Sequence, residues 1–176
     1  MFHAQKLKFL AREATQVIAT PLCPQGDMDN YVNLNKVDIA IQQIERAINL
    51  FLDEQDYISS FTLAGAADEV LGKMVENEGL SSSYLGISAL MNGIHKEMDR
   101  EPYTNKEFNS LANGARNHLK HLSGSEIVRI DPRQEACNML YRAICNFKVL
   151  KSEGTEKMDR WLKTDGISPA FKLKQA

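Results

Sequence analysis

Cysteine is scarce: three residues in a chain of 176. Cys137 and Cys145 fall on one predicted helix, eight residues apart, about 12 Å along its axis and too far to bridge. Cys23 is left over, and no C-x-x-C pair occurs. A disulfide scaffold is excluded, and a reducing, cytoplasmic compartment is expected. Long apolar runs are missing too. No stretch approaches the roughly 20 residues of a membrane span, and the first twenty residues lack the continuous apolar core of a signal peptide. No sign of charge dominates: 21 Lys and Arg against 23 Asp and Glu give −2, with a pI near 6.1. Binding of long duplex DNA through its phosphates calls for a far more basic chain. A local basic site remains open, because residues 114–133 hold Arg116, Lys120, Arg129 and Arg133 against only Glu126 and Asp131. Internal repeats, low-complexity tracts, Gly-rich phosphate loops, nucleophile elbows and aromatic–basic RNA platforms are all absent. Alternating strand patterns are nearly so. The β-branched run Glu126–Ile130 has no partner and reads as an extended connector.

What is present is helical periodicity. The length suits one well-buried core and is short for two. Residues 2–19 read as a helix, and Thr20–Leu34, with Pro21, Pro24 and Gly26, as a loop that isolates it. The body runs over 35–165 and the tail over 166–176 is loose. Asn35 caps a helix on which Val37, Ile41, Ile44, Ala47, Ile48, Phe51 and Leu52 share one side. Asp56 caps a second, ending at Gly79, whose run Leu63-Ala-Gly-Ala-Ala67 lets neighbouring backbones come close and places it at the centre of a bundle. A weaker helix spans 84–99 and contains Gly86 and Gly93. Asp131-Pro132 with Gln134 opens a long helix that buries Ala136, Met139, Leu140, Ala143, Ile144, Phe147 and Leu150 and breaks at Gly154. Trp161 and Leu162 dock a short last one. The fold class is all-α, a bundle of five to seven helices in a single domain over 1–176, without significant sheet.

The stretch 104–124 carries the most information, and the chain reads as organised around it. Thr104 and Glu107 form a capping box. Phe108, Leu111, Ala112, Ala115, Leu119 and Leu122 make an apolar stripe, and Gly124 ends the helix. Phe61, Ala64, Leu71, Phe108, Leu111, Ala115, Ile144 and Phe147 are expected to be buried together. The last two turns of this helix cluster Arg116, Asn117, His118, Lys120 and His121.

Arg116, the polar Asn117 and His121 form R-N-x-x-x-H, which resembles the HEPN superfamily, the helical domains named for higher eukaryotes and prokaryotes nucleotide-binding. Ala67-Asp-Glu69-Val-Leu-Gly-Lys73 looks like that family's E-x-x-x-K. The resemblance implies a metal-independent endoribonuclease or a degenerate relative, acting as a homodimer. In bacteria such domains serve as toxins or defence effectors, so an RNA target and an antitoxin protein are the partners it implies. Arg116 and His121 would be catalytic, with Asn117, Lys120, Glu69 and Lys73 supporting. No cofactor is implied.

The chemistry is coherent. RNA carries its own nucleophile, the 2′-hydroxyl, so cleavage needs a proton acceptor and stabilisation of phosphorane charge. His121 is the candidate proton acceptor, and Arg116 offers a planar fork for phosphate oxygens. Five residues of regular helix rotate the two side chains about 140° apart. Either the helix loosens before Gly124, or a second copy completes the pair. Plainer readings stand beside this one. Arg116, Lys120 and His121 also suit a solvated helix C-terminus, where the dipole favours cations, and Glu69–Lys73 suits an ordinary i,i+4 pair. His118-x-x-His121 lacks a third ligand, so no metal site is expected. The alternative function is a non-enzymatic helical oligomer, an adaptor or regulatory module.

Overall fold

The structure, a computed structural model, describes residues 31–121 and 126–164. The chain divides into two units, Met1–Leu34 and Asn35–Ala176. Of the first, only residues 31–34 are described, and they form no regular element. The predicted helix over 2–19, most of the following loop, Leu122, Gly124 and the tail lie outside the described residues.

In the second unit the described residues form six α-helices and one π-turn, with no strand. Helix α1 (Lys36–Asn49) starts where the Asn35 side chain accepts the Val37 amide at 2.8 Å. It buries Ala40, Ile44, Ala47 and Ile48 and runs into the π-turn Leu50–Glu54, which buries Leu50 and Phe51. Gln55, in the left-handed region at φ 56°, stops it. Helix α2 (Tyr57–Asn77) is capped by Asp56, whose side chain accepts the Ser59 amide at 3.0 Å. Ser82 caps α3 (Ser83–Glu97). The Thr104–Glu107 capping box opens α4 (Asn105–Lys120), with both reciprocal bonds present. Asp131 accepts the Gln134 amide and Pro132 takes the first helical position of α5 (Pro132–Lys151). Helix α6 (Glu156–Thr164) closes the described chain.

The core lies between α2, α5 and α1. The α2–α5 pair makes the most extensive helix contact and α1–α2 the next. Phe61, Ala64, Ala67, Leu71 and Val75 of α2 meet Met139, Leu140, Ala143, Ile144 and Phe147 of α5, all buried. The expected central place of the small-residue helix holds. From α6, Met158 and Trp161 are fully buried, with the Trp161 ring edge-on to Phe51 at 6.1 Å between centroids.

Four expectations are corrected. The stretch 104–124 is not what the chain is organised around: α4 buries only Phe108 and Asn113, and α2 with α5 holds that place. The helix there ends at Lys120 rather than reaching Gly124, because His121 leaves it in extended backbone at φ −128° and ψ 128°. Leu111 is 61% exposed and Leu119 40%, so neither belongs to the core. The cause is a rotation of the inward face. Polar Asn113 and half-buried Arg116 are drawn toward α2 and α5 by acceptors and charge there, and this turns Leu111 to solvent. The long helix α5 also stops before Gly154, at Ser152 with φ 63°.

Candidate functional site

Glu69 sits in the middle of α2, and three cations converge on its carboxylate. Lys73, one turn along the same helix, donates from Nζ to Oε1 at 3.0 Å. Arg116 and Lys120, both from α4, approach Oε2 at 3.6 Å each. The cluster therefore carries more positive than negative charge. The Lys73 hydrogen bond, with help from the charges of Arg116, Lys73 and Lys120, holds the Glu69 carboxyl below its ordinary range. Four of the six residues expected at the site are thus brought together: Glu69, Lys73, Arg116 and Lys120.

Arg116 is placed most firmly. Its Nη1 donates to the Gly65 carbonyl at 3.1 Å, and only 14% of its side chain is exposed. The approach depends on glycine, because a Cβ at position 65 would stand 3.0 Å from Arg116 Cδ. The Ala–Gly run thus has a specific use beyond helix packing: it admits an arginine to the α2 backbone. The Nε of Arg116 is buried without a partner among the described residues.

Asn117 and His121 are placed differently. Asn117 is half-buried, and its carbonyl accepts the His121 amide at 3.0 Å. His121 is exposed, as is His118. Because the helix stops at Lys120, with His121 in extended backbone, the direction of the His121 side chain is not set by helical rotation. Among the described residues no group of three metal-ligating side chains occurs.

Beneath this cluster lies a buried polar network that the sequence reading missed. Asp68 faces inward beside Glu69. Its Oδ2 accepts from Arg142 Nη2 at 2.6 Å and its Oδ1 from Asn146 Nδ2 at 3.0 Å. Arg142 Nη1 donates onward to the Ala112 carbonyl and to Asn113 Oδ1, both at 3.1 Å. Asn146 Oδ1 accepts the Ser83 amide at 2.7 Å. Burial pushes the Asp68 carboxyl upward, against the charges of Arg142 and Arg116 and the Arg142 hydrogen bond. One signal was available: Arg142 and Asn146 interrupt the inward face of α5, where a polar residue is retained only with partners.

No protein-family model, no curated protein and no solved structure matches the chain. No helix among the described residues is long and apolar enough to cross a membrane.

Proposed function

We propose that the chain is a HEPN-like RNA-engaging domain whose phosphate contacts come from the facing sides of α2 and α4. The observation that carries this reading is the convergence of Lys73, Arg116 and Lys120 on the single carboxylate of Glu69. A phosphodiester competes well for such cations: the two lysines supply exposed point charges, and Arg116, held on the Gly65 carbonyl, adds its charge beside them. The exposed His121, in the residue next to Lys120, adds an imidazole able to take up a proton. In the cleavage step, the RNA 2′-hydroxyl gives its proton to His121 and attacks the adjacent phosphorus; the bond from phosphorus to the 5′-oxygen breaks, that oxygen takes a proton from water, a 2′,3′-cyclic phosphate forms, and His121 returns its proton to solvent. The nucleophile is internal, so this route needs no metal-bound water.

Incubation with single-stranded RNA in EDTA tests the step. Cyclic phosphate ends that His121→Ala abolishes are the expected result. Dependence on added metal, or 5′-phosphate products, rejects it.

A second reading, a non-enzymatic helical homo-oligomer, is favoured by α3. That helix buries none of its residues and leaves Leu85, Ile87, Leu90 and Ile94 exposed, as is Met98 beyond it. A dimer that Leu90→Glu dissociates, in a chain that neither binds nor cleaves RNA, would favour it.

A further inference from the structure

We infer that α3 and α4 form one separately opening module, residues 83–120, held down by a polar latch in which Asp68 is the anchor and Arg142 the positioning residue. Helices α2 and α5 each bury nine residues, whereas α3 buries none and α4 only Phe108 and Asn113. Segments with few buried apolar contacts open at lower free energy than the core they rest on. What fastens this pair is mostly polar.

The Asp68 carboxylate holds two arms, one per oxygen. From Oδ2 the arm runs through the Arg142 guanidinium to the Ala112 carbonyl and Asn113 of α4. From Oδ1 it runs through Asn146 to the Ser83 amide, the first residue of α3. Each arm therefore crosses from α2 through α5 into the module. The Ser83 hydroxyl also donates to the Arg142 carbonyl. Tyr84 of α3 packs on Phe108 of α4 at 5.0 Å between centroids and lies under the Arg142 guanidinium at 5.6 Å, so the two helices close on one another and on the same residue.

The latch is short of full satisfaction, because Arg142 Nε is buried with no partner among the described residues. Networks of this kind specify a geometry while adding less stability than a complete one. Opening the module lifts α4, and with it Arg116, off the Gly65 carbonyl and Glu69. The inference does not depend on RNA being the ligand of that cluster.

Native-state hydrogen exchange of the full chain, read by mass spectrometry, tests it. Arg142→Lys keeps a cation for Asp68 but loses the planar fork that serves α4 at the same time. In that variant the amides of 83–120 should exchange about tenfold faster, while those of 57–77 and 132–151 stay within about twofold. Asn113→Ala removes a single α4 acceptor and should accelerate the same residues by a smaller factor. If Arg142→Lys does not fold, Asn113→Ala is read by the same pattern. Uniform acceleration across all helices, unchanged rates in 83–120, or acceleration of α4 without α3 overturns the inference.

Discussion

Arg116 lies across Gly65, its Nη1 on the glycine carbonyl at 3.1 Å and its Cδ 3.0 Å from where a Cβ would stand. An arginine from α4 thereby occupies the space that any other residue at position 65 would claim. Gly65→Leu should displace it and cost about 1–3 kcal/mol through overpacking. Gly65→Ala requires a shift of only a few tenths of an ångström in a flexible side chain, offset by about 1 kcal/mol of helix propensity. Urea unfolding should show Gly65→Ala near wild type and Gly65→Leu clearly below it. Equal stability of the two variants would mean that Arg116 does not rest there.

The rotation of α4 predicts an unequal pair. Phe108 is 2% exposed and Leu111 61%. Phe108→Ala should therefore cost about 3–5 kcal/mol and Leu111→Ala no more than about 0.5. A large loss at Leu111 would restore the apolar stripe drawn from periodicity.

Core burial on α5 gives a third expectation. Phe147 packs into the core at 5% exposure, so Phe147→Ala should also lose about 3–5 kcal/mol. A loss below about 1 kcal/mol would show its side chain to be loosely held.

Acid should destabilise the fold. Asp53 is held low first by its hydrogen bond to Arg160, Asp56 by Ser59, Glu69 by Lys73 and Glu107 by Thr104. A carboxylate whose pKa is lower in the folded chain than in the unfolded one stabilises fully above the unfolded value, and this contribution is lost as pH falls through the folded value. Burial raises Asp68 and Glu135, whose contributions run the other way, full at low pH and lost as pH rises. Four groups against two predict a urea midpoint that falls as pH drops below the ordinary 3.8–4.5 range of these groups. Glu107→Gln should flatten part of that fall. A midpoint that rises on acidification would contradict the balance.

Much of the fold was legible because its signals are local. Asn35, Asp56, Thr104 with Glu107, and Asp131 with Pro132 each open the helix they announce, since a cap needs only the next three residues. The grouping of Glu69 with Lys73 was equally plain, being one turn of one helix. The inward face of α4 was not. Its direction is decided by Gly65, Asp68 and Arg142, which lie far away in sequence, and periodicity weighs a leucine above an asparagine with a buried partner. The end of α4 was hidden for a related reason: Gly124 offers a stop signal, but the chain leaves the helix at His121. Asp68 does not stand out beside Glu69, because nothing local marks which of two adjacent acids turns inward.

The central claim is that Lys73, Arg116 and Lys120 engage the phosphates of RNA. Anisotropy of a labelled single-stranded RNA, titrated with the chain at several salt concentrations, tests it most directly. Saturable binding that weakens linearly with log salt is predicted. Replacing either exposed lysine, Lys73 or Lys120, by Ala should reduce that slope by about 0.7 for each phosphate left without its cation, while the loss of its exposed pair with Glu69 lowers stability by no more than about 1 kcal/mol. Absence of saturable binding at low salt, or binding that neither substitution alters, would contradict it.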